Sequence, residues 1–290
     1  MKTPPPPPPP PPWGPGGAPD LGWPPAGHPA PSGPVTLVPP QPPPATGGRR
    51  GGWRMLAVFA FAEATFLLVS LLVLVPFAIV DPALAEGAPL PPGALLAALL
   101  VPTALAALVA VGGTALLGNG SAPGRVCREL AIRWDWRDIG VGLGLGTVGL
   151  ILTVPASALW ARLVGTDQAN SAVGEAFDGR QFGATAAVAA FLVVWLVAPL
   201  CEEVLYRGVL WRAFEHWRWN RWVIFAVTTM VFSVAHLELL RTPLLVVISL
   251  PIGLARMFTG NLLSSVVAHQ ANNLLPAVGL LLLTLGVMPG

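Results

Sequence analysis

The chain has 290 residues, 54% of them hydrophobic and 10% charged, with a mean hydropathy of +0.67. A soluble domain carries about 25% charged residues, so the apolar excess must face lipid and a soluble globular reading is excluded. The formal net charge of +2 gives no reason to expect a nucleic-acid partner; membrane lipid is the expected one.

Residues 1–52 hold 21 of the 34 prolines, including an unbroken run from Pro4 to Pro12. A segment of this composition cannot bury enough apolar surface to order itself, so a disordered, solvated cytosolic tail with polyproline II character is expected. Its bland role is a spacer; its sharper one is docking to a proline-recognition partner. Trp13, Trp23 and His28 form no constellation there. The same 52 residues lack an apolar core of the signal-peptide kind, so no cleavable leader is expected.

Residues 53–290 read as an all-α bundle of membrane helices, each near the 20 apolar residues a bilayer needs. The spans fall at roughly 55–80, 93–117, 138–163, 184–206, 221–240, 243–258 and 262–286, giving seven, with six or eight as the bounds. Pro251-Ile252-Gly253 interrupts the sixth and predicts a kinked or partly re-entrant segment.

Arginine placement sets the expected orientation. Arg49, Arg50 and Arg54 precede the first span; Arg125, Arg128, Arg133 and Arg137 lie between spans two and three; Arg212, Arg218 and Arg221 between four and five; Arg256 between six and seven. The alternate connections carry Asp81, Glu86, Asp167, Glu175 and Asp178 against Arg180. A multi-pass cell-membrane protein with a cytosolic N terminus follows. Val126 to Asp138, with Trp134 and Trp136, reads as an interfacial amphipathic helix, and Trp211, Trp217, Trp219 and Trp222 as a second interfacial patch. Cys127, near the cytosolic face, and Cys201, inside a helix, argue against a disulfide or a cysteine metal site.

Span four ends in Leu200-Cys201-Glu202-Glu203-Val204-Leu205-Tyr206-Arg207. A charge near the bilayer centre costs at least about 2.5–3.5 kcal/mol, so such residues point to function and call for a partner. Glu203 and Arg207 are spaced for a helical ion pair with the acid N-terminal. Glu202 lies about 100° round the helix and has no partner within the motif.

Two of the four histidines fall inside predicted spans, His236 after Phe232 and His269 before Asn273, each pair four residues apart and on one helix face. Asn272 points away from Asn273 and reads as packing or capping. Glu202 and His236 are each 17 residues from Trp219, so an antiparallel hairpin brings them to one depth. His269 lies only about eight residues, roughly 12 Å of helix, past Asn261, which is shallower than the other two. A carboxylate can activate water, an imidazole can orient that water or carry the proton, and an imidazole with an amide NH2 can hold an oxyanion. Glu202, His236 and His269 could instead hold a zinc ion.

The order Glu202-Glu203-x-x-x-Arg207, Phe232-x-x-x-His236, His269-x-x-x-Asn273 closely resembles the CAAX-processing and bacteriocin-processing (CPBP, or Abi) family of intramembrane glutamic endopeptidases, which includes the type II CAAX prenyl endopeptidases. The resemblance covers about 180–280 and includes the Thr259-Gly260-Asn261-Leu262 approach. It implies that Glu202 activates water with help from His236, that His269 and Asn273 hold the oxyanion, and that Glu203, Arg207 and Phe232 support them, Glu203 with a share in catalysis. No cofactor is favoured over the metal-free glutamate mechanism, with zinc as the alternative. The implied substrates are membrane-associated or lipidated peptides, such as CAAX tails or leader peptides. The competing readings are a non-catalytic membrane protein, such as a bacteriocin self-immunity or transporter accessory protein, and a proton-relay transporter. No HExxH, GxSG or GxGD occurs in the spans.

Overall fold

A computed structural model describes residues 48–288 apart from 85, 87 and 166–168; the proline-rich tail through residue 47 lies outside the described residues. Helices are the regular structure of the described residues, which include no strand. Helix α1 (Gly48–Leu72) leads into the short α2 (Val75–Val80), followed by α3 (Pro92–Leu117), α4 (Arg125–Glu129), α5 (Trp136–Val164) and α6 (Ala172–Phe177). The helical run α7 (Ala184–His216) precedes α8 (Arg221–Ala235), α9 (Thr242–Thr259) and α10 (Leu262–Thr284). Among the described residues six helices are long and apolar enough to cross a membrane: α1 continued through α2, then α3, α5, α7, α9 and α10.

The expected fifth span, 221–240, is the shorter α8. At 15 residues it is about 22 Å long, less than the roughly 30 Å hydrocarbon thickness. Its count as a full span therefore rested on apolar residues of the following turn. The fourth span runs ten residues beyond 206, to His216, and the first helix begins at Gly48 rather than near 55. Gly51 and Gly52 explain that early start: a Cβ at Gly52 would meet the Trp217 indole at 2.2 Å, so the chain is drawn in against that ring. Pro251 does not interrupt α9. Gly253 lets that helix lie against Phe225 and Thr229 of α8.

The expected interfacial helix over 126–138 is also corrected. The helix Arg125–Glu129 ends early there; Ala131 takes a positive φ, and 132–135 is non-helical before Asp135, in extended conformation, caps α5 through the Arg137 N–H. Burial of Glu129 and Leu130 outweighs the amphipathic pattern, and Trp134 and Trp136 remain largely exposed.

Cross-links assign the connections to two ends. At one end Trp217 Nε1 donates to Arg49 O, Arg212 pairs with Glu129, and Leu262 N donates to Ala131 O. At the other, Arg180 Nη1 donates to Leu90 O, Ala172 N to Glu238 Oε1 and Phe182 N to Thr284 O. The arginine-rich connections thus share one end and the acidic ones the opposite end, as the sequence pattern required.

Two devices set the height of α10, which carries His269. Asn261 caps it at Leu263 N and donates through Nδ2 to Arg133 O at 2.8 Å and Asp138 Oδ2 at 3.0 Å, following Gly260 in the left-handed region. Along its length α5 packs close. A Cβ on Gly142 would come within 2.3 Å of Ser264 O, and one on Gly146 within 2.6 Å of Ala268 O. Small residues are the usual means of bringing membrane helices this near.

Candidate active site

Helix α7 is not uniform around its acidic pair. It widens to π geometry at Val193–Val197 and again at Val204–Leu210, flanking the α-helical Ala198–Glu203. Such bulges frequently mark functional sites, because they re-aim side chains and free backbone carbonyls. Arg256 Nε donates to Arg207 O, while Gln270 Nε2 and Asn273 Nδ2 reach Leu196 O and Val194 O at 3.3 and 3.4 Å. Helices α9 and α10 are thereby tied to the irregular turns of α7.

The expected Glu203–Arg207 pair is present at 2.9 Å with both side chains fully buried. The same Glu203 Oε1 accepts a hydrogen bond from His269 Nδ1 at 3.0 Å. A carboxylate can only accept here, so His269 carries its proton on Nδ1 and turns Nε2 the other way. Nε2 lies 3.8 Å from Glu202 Oε2, whose side chain is 25% exposed. One imidazole therefore spans the two adjacent acids, one sealed in and the other open.

The expected depth mismatch of His269 disappears for a concrete reason. Leu262 lies level with Gly208, whereas α7 continues past that level to His216. Two turns along α10 and about two turns back along α7 reach the same height.

Phe232 is the hub of the site. Its ring lies 4.4 Å from Arg207 Cζ, 5.3 Å from the Tyr206 ring, 4.7 Å from His236 and 5.7 Å from His269. His236 follows the last residue of α8 and donates from Nδ1 to Phe232 O at 2.8 Å, leaving Nε2 as a free base. Among the described residues it forms no ion pair with Glu202. Both imidazoles pack against Phe232, but of the two only His269 approaches Glu202 within 4 Å. Asn273 shares the His269 face but spends its Nδ2 on Val194 O. Asn272 is buried and accepts from Thr153 Oγ1 at 3.1 Å, which makes it a packing residue between α10 and α5.

Among the described residues no group of three or more His, Cys, Asp or Glu side chains is placed to hold a metal ion. The expected zinc set of Glu202, His236 and His269 is not such a group: His269 approaches Glu202, while His236 is engaged with Phe232 O. Cys127 is exposed and Cys201 buried, and both are free.

One member of this neighbourhood was not singled out from sequence. Glu63, on α1, faces the Tyr206 hydroxyl and lies within electrostatic reach of Glu202 and His236, with its Oε1 buried and unpartnered. A lone carboxylate in mid-span was the available signal.

Nearer the basic end is a second polar network. Glu129 Oε2 accepts from Arg212 Nε at 2.7 Å and contacts His216 Nε2 at 3.0 Å, while its Oε1 accepts from Asn119 N at 2.7 Å. Burial alone would raise this carboxyl, but the His216 and Arg212 hydrogen bonds, the Arg212 charge and the Asn119 N–H outweigh it and hold it at about 2.

Comparison with known proteins gives two matches. Residues 184–275 match the family described as type II CAAX prenyl endopeptidase Rce1-like. An uncharacterized 24.3 kDa protein of Escherichia coli is 32% identical over 83 residues, covering 27% of this chain and 38% of that protein. The chain thus spans well under half the length of that relative. No solved structure matches. The matched stretch runs from the start of α7 into α10 and contains Glu202, Glu203, Arg207, Phe232, His236, His269 and Asn273, so the part of this integral membrane protein that resembles the Rce1-like type II CAAX prenyl endopeptidase family is the part that carries the site.

Proposed function

We propose that the protein is an intramembrane endopeptidase that hydrolyses a peptide bond in a membrane-associated or lipidated peptide, with Glu202 as general base. The observation that carries this reading is the bridging of His269 between sealed Glu203 and half-open Glu202. Glu203, neutralised by Arg207, fixes the imidazole and leaves Nε2 facing the site, while Glu202 stays accessible to water.

In the reaction, Glu202 takes a proton from water as its oxygen bonds the carbonyl carbon and the carbonyl electrons move to oxygen. His269 Nε2, when protonated, and the Asn273 amide, released from Val194 O, donate to that oxyanion. Each such donor is typically worth about 3–4 kcal/mol. The C–N bond then breaks as the amine nitrogen takes the proton, delivered from Glu202 or relayed through His236 Nε2. The family match supports CAAX-type tails as the substrate class, with leader peptides as the second class within this reading. The clustering of arginines at one end supports a cytosolic N terminus, and the proline-rich composition of residues 1–47 supports a proline-motif partner as part of this reading.

Peptidomics of membranes from cells carrying the wild type or Glu202→Gln tests the reading. General-base loss should lower product formation by about 10²-fold or more at equal expression, and His269→Ala should do the same. Full activity in both variants would end the hydrolase reading in favour of a binding role of the immunity or accessory kind.

A further inference from the structure

A membrane helix that leaves α geometry must find other donors for the carbonyls it frees. Helix α7 does so at Arg207. In a regular α-helix the Trp211 N–H would donate to Arg207 O; here it goes to Tyr206 O and Gly208 O, and Arg256 Nε of α9 donates to Arg207 O at 3.0 Å. The sequence counts Arg256 among the loop arginines, yet it lies in the last turn of α9 and is only 1% exposed. Glu215 Oε1 stands 3.9 Å from its Nη2 and the Trp211 ring 5.4 Å from its Cζ, while Nη1 and Nη2 are buried without a hydrogen-bond partner. Among the described residues the bond to Arg207 O is therefore the one hydrogen bond that the Arg256 side chain makes.

The residue held in this way is the one that neutralises Glu203. Arg207 Nη1 donates to Glu203 Oε1 at 2.9 Å, the same oxygen accepts from His269 Nδ1 at 3.0 Å, and His269 Nε2 lies 3.8 Å from Glu202 Oε2. We propose that Arg256 is a positioning residue of this site: its bond to Arg207 O holds the π turn open, which sets the Arg207 guanidinium on Glu203 and, through Glu203, the His269 imidazole beside Glu202. Without that donor the Trp211 N–H is free to return to Arg207 O, which turns the Glu203 end of α7 against its His216 end. The consequence for catalysis rests on the hydrolase reading; the hold on the turn does not.

The test compares Arg256→Gln with Arg256→Met in full-length protein in detergent. Both lose the charge, but the glutamine Nε2 falls at the chain position of the arginine Nε and keeps a donor there, whereas methionine ends in a methyl group. With a fluorogenic peptide ending in a farnesylated cysteine and three further residues, Arg256→Met should lower kcat about 10²-fold with KM nearly unchanged, and Arg256→Gln should stay within about fivefold of wild type. Hydrogen–deuterium exchange over residues 204–212, read by mass spectrometry, should be at least about tenfold faster in Arg256→Met and near wild type in Arg256→Gln. Equal kcat losses in the two variants overturn the proposal, because a role in charge or packing alone does not distinguish them. Unchanged exchange in Arg256→Met overturns it as well, even where activity falls. Should Arg256→Met fail to accumulate, Arg256→Gln decides: kcat and exchange near wild type sustain the proposal, and a kcat more than about tenfold lower overturns it. Full cleavage by Glu202→Gln would instead sink the hydrolase reading, while the exchange contrast still decides the hold on the turn.

Discussion

His269 Nδ1 stands 3.0 Å from Glu203 Oε1 inside a fully buried ion pair, so the more deeply buried acid of the Glu-Glu motif orients a histidine contributed from 66 residues further along the chain. The division of labour follows. Glu203 cannot meet water and serves orientation, whereas Glu202 keeps access and is suited to chemistry. The variants below separate these roles.

Arg207→Met should destabilise the protein by about 3–5 kcal/mol, because it leaves Glu203 in a dry interior without its counter-charge, held only by the His269 N–H. Arg207→Lys keeps the charge but loses the planar guanidinium over Phe232 and should cost about 1–2 kcal/mol. Thermal unfolding in detergent measures both, with the order wild type, Lys, Met in falling stability.

Asn273→Ala and Asn272→Ala should diverge although they are adjacent. Asn273→Ala removes an oxyanion donor and should lower kcat about 10²-fold with little change in KM. Asn272→Ala breaks the buried bond to Thr153 and should cost about 1–3 kcal/mol of stability with kcat nearly intact. Equal effects of the two on kcat would remove Asn273 from the mechanism.

Gly142→Val should push α5 away from α10, since even a Cβ would sit 2.3 Å from Ser264 O. The overpacking should cost about 1–3 kcal/mol. Because α10 carries His269, activity should fall further than stability alone accounts for, as kinetics on the folded fraction would show.

Glu129 makes stability pH-dependent with a defined sign. Its folded pKa, about 2, lies below the ordinary value of 4.5, so its contribution is fully present above about pH 4.5 and is lost as pH falls toward about 2. Unfolding midpoints of the wild type should therefore drop more steeply across that window than those of Glu129→Gln. Parallel curves for the two proteins would contradict this.

Hydropathy, arginine placement and the three spaced motifs determined the membrane class, the shared end of the basic connections and the Glu203–Arg207 pair. These depend on local composition and on the 3.6-residue period, which a single chain reveals directly. The height of His269, its span between Glu202 and Glu203, and the turn of Asn273 toward Val194 were decided only by tertiary structure. Those features depend on where α7 runs on to His216, where α8 stops, how closely Gly142 and Gly146 admit α10, and how two π turns rotate the face of α7. Glu63 reaches the site through contact of α1 with Tyr206, a contact that no spacing within α1 encodes.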